Sequence, residues 1–146
     1  MEQNHIHIYV KLYDFKNHTD EVSQILCLNP TKCGQKGDKY FIGNSKLKIE
    51  RQYSSNFWEY SEKIELDGHW PQKYIDDFIK RIIAPRSQKI NSILGGATGE
   101  LALVPYYYDE WNIGFDFNLE QLKVLIESRL ILNMDIYHLS RECSES

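Results

Sequence analysis

Residues 5–13, HIHIYVKLY, alternate without a break. Ile6, Ile8, Val10 and Leu12 fall on one side, and His5, His7, Tyr9 and Lys11 on the other. A period of two predicts a strand with one buried face. The period then changes. Val22, Ile25 and Leu26 recur at helical spacing, Thr19 stands where an N-cap belongs, and Asp20 and Glu21 suit the positive end of a helix. Asn29-Pro30 closes that helix, because proline restricts the residue before it.

The stretch TKCGQKGDKYFIGNSK reads as a basic loop with a short strand at Tyr40–Ile42. Two alternating runs follow. KLKIERQY carries Leu47 and Ile49 on one side; FWEYSEKIEL carries Trp58, Tyr60, Ile64 and Leu66. Ser54-Ser55-Asn56 between them suits a hairpin connection.

Pro71 fits a helix start, and Ile75, Phe78, Ile79 and Ile82 mark its buried face. Pro85 interrupts it, Ile90, Ile93 and Leu94 resume the pattern, and Gly95-Gly96 stops it. Leu101, Leu103 and Val104 predict the next strand, with WNIGFDF as its hairpin partner, Trp111, Ile113, Phe115 and Phe117 sharing one face. Asn118 and Gln121 have the spacing of a capping box, with Phe117 and Leu122 placed as a hydrophobic staple. Leu122, Leu125 and Ile126 form the expected stripe of the last helix. LNMDIY closes the pattern with Leu132, Met134 and Ile136 inward, before a polar tail from about residue 140.

The order is β-α-β-β-α-β-β-α-β. Each strand has one apolar face, so helices are needed on that face only. The expected fold is α+β: a mainly antiparallel or mixed sheet with helices on one face, ferredoxin-like in its first six elements and extended by β-α-β. At 146 residues the chain is expected to form one domain.

Composition narrows the functional classes. A net charge of −4 disfavours a general nucleic-acid binder, which needs a basic face. From Glu100 onward the chain carries 9 acidic and 3 basic residues, so the last third is the acidic one. The start lacks a signal peptide's basic and apolar regions. No apolar run approaches the ~18–20 residues of a membrane span. Cys27, Cys33 and Cys143 are an odd, scattered set that suggests reduced thiols in a cytoplasmic protein rather than a disulfide framework.

Candidate chemistries are few. His5-x-His7 places two imidazoles on one strand face, but zinc wants further ligands and none has a matching spacing, so a solvated face is the simpler reading. The glycines of GGATGE end a helix, whereas a phosphate loop opens one. Cys27 falls in an apolar stripe and is expected to be buried and inert. Cys33 lies among lysines, where a thiol can be reactive, with no histidine base tied to it. Asp76 and Asp77 are adjacent on a helix and point apart, which does not suit paired acid–base work. No metal, cofactor or catalytic set is expected.

The densest aromatic and acidic run is VPYYYDEWNIGF, residues 104–115. Tyr106, Tyr107 and Tyr108 cannot all point one way, and Asp109-Glu110 falls at a turn. These five residues with Asp116 are the candidate partner-binding set, since tyrosine gives rigid contact area at protein interfaces. Exposed cross-strand tyrosines that only stabilise a sheet are the equal alternative.

Three stretches carry a family resemblance: ILCLNPTKCGQKGDKYFIG, then Trp58, then FNLEQLKVLIESRLILNMDIY. They resemble a bacterial family, domain of unknown function 4279, in which a helix ending in a proline turn, a Lys-Gly-Asp turn, a strand tryptophan and an Asp-Ile-Tyr strand recur. Pro30, Lys36, Gly37, Asp38, Trp58, Asp135, Ile136 and Tyr137 occupy those places, while Cys27 stands where the family has glycine. The resemblance implies no known catalytic activity, and an immunity-protein-like, toxin-neutralising role is the expectation by analogy. The expected function is therefore a non-enzymatic protein-interaction module whose acidic third steers a basic toxin domain. The alternative is a small-ligand sensor whose basic loop, with Lys32, Lys36 and Lys39, closes on an anion. An enzyme ranks behind both. The sequence leaves the oligomeric state open.

Overall fold

A computed structural model describes residues 3–44, 46–108 and 114–140. The elements run β1 (His5–Tyr13), α1 (Thr19–Leu26), β2 (Lys32–Gly34), β3 (Lys39–Asn44), β4 (Leu47–Gln52), β5 (Phe57–Glu65) and α2 (Pro71–Phe78). A π-helical turn (Ile79–Ile83) and a 3-10 turn (Ala84–Arg86) lead into α3 (Ser87–Leu94). Then come β6 (Gly99–Tyr108), α4 (Leu119–Ser128), β7 (Leu130–Met134) and β8 (Tyr137–Leu139).

The main sheet has the order β2-β5-β1-β6-β7, with β8 also on β6. The strands β2, β5, β1 and β6 pair antiparallel, and β7 and β8 add parallel to β6. The fold is α+β with a mixed sheet, as expected; the strand beside β5 is β2, from a stretch that reads in sequence as loop.

β1 sits at the centre. Its alternation buries Ile6, Ile8, Val10 and Leu12 completely or nearly so, and they join Trp58, Ile75, Phe78, Ile83, Leu101 and Leu103 in one core. All four helices supply side chains to that core: Val22 and Leu26 from α1, Ile75 and Phe78 from α2, Ile90 and Ile93 from α3, Leu125 from α4. The Trp58 indole, buried in the same layer, donates to Ser23 Oγ of α1 at 3.0 Å.

The break at Pro85 is repaired by one side chain. Proline has no N–H for the carbonyl four residues back, which is Arg81. Arg86 donates from Nη1 to that carbonyl at 3.3 Å and to the Ile82 carbonyl at 3.1 Å. Its Nε donates to the Leu26 carbonyl at the end of α1 at 2.8 Å. One guanidinium thus satisfies the interrupted helix and ties α1 to it.

Several expectations are corrected. β4 pairs with β3 in a separate two-stranded sheet, not with β5, which lies instead between β1 and β2. Leu47 and Ile49 therefore have no buried face. Residues 114–118 form no strand, and Trp111–Ile113 lie outside the described residues. The N-cap of α1 is His18, whose Nδ1 accepts from the Asp20 N–H at 3.1 Å, so Thr19 is the first helical residue. Cys27 is exposed at the C-cap with φ of 50°, a left-handed conformation that suits glycine.

The capping box of α4 forms as the spacing predicts: Gln121 N–H donates to Asn118 Oδ1 at 2.8 Å, and Asn118 N–H donates to Gln121 Oε1 at 2.9 Å. The buried stripe is different. Gln121, Leu125 and Ser128 are buried, while Ile126 is 76 % exposed. Gln121 is tolerated inside because its amide also donates to Asp76 Oδ1 on α2 at 2.8 Å. Met134 and Ile136 are exposed as well, not inward.

Candidate functional site

The strand period that buries one side of β1 delivers His5, His7, Tyr9, Lys11 and Tyr13 to the other. Register extends this outer face. Glu65, Lys63, Ser61 and Glu59 of β5 lie opposite His5, His7, Tyr9 and Lys11. On the other flank lie Tyr106, Val104, Ala102 and Glu100 of β6, and Tyr137 of β8 continues the row beside Tyr106. Among the described residues, the helices pack on the opposite side.

The rings on this face touch in sequence. Tyr137 stacks on Tyr106 with centroids 5.0 Å apart, and Tyr106 stacks on His5 at 4.8 Å. The file then turns along β1: His5 meets His7 edge-on at 5.5 Å, and His7 stacks on Tyr9 at 5.9 Å. Lys11 Nζ lies over the Tyr9 ring, 4.8 Å from its centroid, and Lys11 also pairs with Glu59 at 3.6 Å. Five rings and one cation form a continuous, half-exposed surface with side chains held by their neighbours.

Burial and neighbouring charges disfavour the ionised forms of His7 and Tyr9. Burial, the His5 ring and Lys63 hold the His7 pKa below its ordinary value. Burial, Glu59 and Tyr106 raise that of Tyr9. These influences favour the uncharged imidazole of His7, a polar ring that can donate or accept. His5 and His7 are neighbours, but among the described residues no cluster of three or more His, Cys, Asp or Glu side chains is arranged to hold a metal.

The partner-binding residues expected from sequence divide. Tyr106 lies in the ring file. Tyr108 is on the same side of β6 but buried, its backbone N–H donating to Asn4 Oδ1 at 2.7 Å. Tyr107 is a correction: it is fully buried on the inner side, tilted against His138, and burial pushes its phenol pKa up. It is not available as a contact. Asp116 is exposed but belongs to the helix side, where its N–H donates to Gln72 of α2 at 2.9 Å. It rims a cleft of about 510 Å³ between α2 and α4, with Trp70, Asp76, Lys80 and Gln121. Asp109 and Glu110 lie outside the described residues.

The candidate anion loop is not gathered. Lys32 lies on β2 over the Phe57 ring, Lys36 is in an exposed turn, and Lys39 pairs with Glu50 of the β3–β4 hairpin at 3.1 Å. Asp76 is occupied by Lys80 at 2.9 Å and by Gln121, and Asp77 by Arg81 at 3.2 Å. Arg81 also grips Glu62 of β5 with two nitrogens, at 2.6 and 3.0 Å, and the Tyr60 hydroxyl donates to the same carboxylate at 2.6 Å. That network clamps the helix layer to the sheet.

Sequence reasoning placed His5, His7 and Tyr9 on an outer face but did not join them to Tyr106 and Tyr137. The joining signal is strand register, which lies between segments about 100 residues apart. The strand expected through LNMDIY is interrupted: β7 ends at Met134, Asp135 and Ile136 lie between strands, and Tyr137 opens β8. That this tyrosine completes a ring file was therefore not legible.

Against known proteins, the model of a family described as a domain of unknown function, DUF4279, matches residues 4–139. No curated protein matches, and no solved structure matches.

Proposed function

The chain belongs to the DUF4279 family, and from the open sheet face we propose that it acts as a non-enzymatic protein-interaction module. The observation that carries this reading is the ring file Tyr137–Tyr106–His5–His7–Tyr9, held in fixed geometry by strand register and mutual stacking. Aromatic side chains with few rotamers lose little entropy on docking, and contiguous rings give the apolar centre that interfaces need. Lys11, Lys63, Glu59, Glu65 and Glu100 surround the file as a charged rim of mixed sign. A protein partner with projecting apolar side chains and its own polar rim fits this face.

One form of this reading is a cytoplasmic immunity-type protein that neutralises a toxin by occupying it. Glu100 on the face and the acidic last third of the chain then attract a basic partner over distance. The family membership is compatible with that form and does not select it.

The experiment is affinity capture from the native host with two tagged baits. One is the wild type; the other carries Tyr9→Ser, Tyr106→Ser and Tyr137→Ser. Circular dichroism establishes that both fold. The reading expects a discrete partner lost from the triple variant. Equal recovery on both baits rejects the ring file as the docking surface.

A further inference from the structure

The β3–β4 hairpin stands apart from the main sheet and bonds in sheet fashion only to itself, among the described residues. Every residue of β4 is exposed. Phe41 and Leu47 are 63 % and 65 % exposed, and Ile42 and Ile49 are also open to solvent. Two-stranded hairpins are marginal in water, and a third or fourth strand with an apolar face is the usual remedy. A flat edge with apolar side chains templates further pairing.

The hairpin tip is built to keep these strands together. Gly43 has φ of +112°, and a Cβ there would run into the Leu47 carbonyl oxygen. Asn44 Oδ1 accepts from the Lys46 and Leu47 N–H groups, both at 3.0 Å. Across the strands Ile42 lies opposite Ile49, Tyr40 opposite Arg51 and Phe41 opposite Glu50. One hairpin face therefore shows Tyr40, Ile42, Leu47 and Ile49, and the other shows Phe41, Lys48 and Glu50.

We infer that the free edge of β4 pairs antiparallel with β4 of a second copy of this chain, about a two-fold axis at Ile49. Symmetry restricts the register. Hydrogen-bonded and non-hydrogen-bonded pairs alternate along an antiparallel ladder. A two-fold axis must map like pairs onto like pairs, so one residue must face its own copy. Centring on Lys48 sets lysine against lysine, and centring on Glu50 sets carboxylate against carboxylate. Centring on Ile49 sets Ile49 against Ile49, Lys48 against Glu50 twice, and Leu47 against the aliphatic stem of Arg51 twice. Opposite-charge and apolar cross-strand pairs are the stabilising kinds, and directly opposed like charges are not.

The same register makes one continuous apolar row across four strands: Ile42, Ile49, and their two copies. The edge of β3 offers no such match. Its one charge, Lys39, is engaged by Glu50. A single strand seam buries less than the roughly 1,200 Å² at the low end of stable interfaces, so the dimer is a reversible one.

The test is sedimentation velocity over micromolar to millimolar concentrations, on wild type, Ile49→Lys, Ile49→Glu and their equimolar mixture. The wild type is expected to shift from monomer to dimer. Each single variant is expected to stay monomeric, because the axis sets its new charge against itself. The mixture is expected to dimerise, since lysine then meets glutamate at the axis. Lys48→Glu, which opposes Glu50 twice, is a second variant expected to remain monomeric. A wild type monomeric throughout, a dimer indifferent to these changes, or no dimer in the mixture overturns the inference. Circular dichroism of each variant separates lost pairing from lost folding.

Discussion

In β1 every second side chain is buried; in β4 all six are exposed, although both strands alternate apolar and polar residues. The difference lies in what covers them. β1 has β5 on one side, β6 on the other and helices above its apolar face. β4 has β3 as its one strand neighbour among the described residues, and nothing buries its side chains. Alternation states that a strand has two unlike faces. It does not state that anything sits on the apolar one.

Core truncation should separate the two regions most sharply. Ile8→Ala removes a fully buried side chain and is expected to cost about 2–5 kcal/mol. Ile49→Ala, read at dilution, should cost less than about 0.5 kcal/mol, as exposed positions do. Urea unfolding of both variants measures the contrast, and equal costs would break it.

Within the packed region the next largest effect belongs to Arg86. Arg86→Met leaves three backbone carbonyls without their charged donor and is expected to lose about 1.5–3 kcal/mol. Asn118→Ala removes one capping bond and should lose about 1 kcal/mol. Cys27→Gly runs the other way. It relieves a left-handed non-glycine residue and should gain up to about 1 kcal/mol. Thermal or urea unfolding resolves the signs of all three.

The smallest effect comes from the open face. The folded pKa of His7 lies below its ordinary value of 6.5, chiefly through burial. The unfolded chain therefore binds that proton first as pH falls. The resulting stability is full above pH 6.5 and declines as pH drops toward the folded pKa. His7→Gln should flatten that part of the stability profile between neutral and mildly acidic pH, measured by urea unfolding at several pH values.

The comparison also explains how far the sequence could be read. β1, the helix break at Pro85, the capping box at Asn118 and the α+β class were legible, because each depends on residues close in the chain. The pairing of β4 was not. Ser54-Ser55-Asn56 suits a tight connection, yet Asn56 instead spends its side chain on Phe15, donating to that carbonyl at 2.8 Å. Its Oδ1 accepts from the Lys36 N–H at 2.8 Å. A long-range anchor overrode a local turn preference. The stripe of α4 failed for a related reason: Gln121 is buried by its bonds to Asn118 and Asp76, which hydrophobic periodicity does not register. Of the candidate site, Tyr106 was within reach of sequence, but the inward side of Tyr107 depended on the register with β1 and β8.

The role of the open sheet face is tested most directly by photo-cross-linking in the native host. A benzoylphenylalanine is placed at Tyr106 or Tyr9 on the ring file, and at the exposed Leu119 of α4 as the control. The account predicts a discrete protein adduct from both ring-file positions and none from Leu119. An adduct from Leu119 with none from Tyr106 and Tyr9 would contradict it.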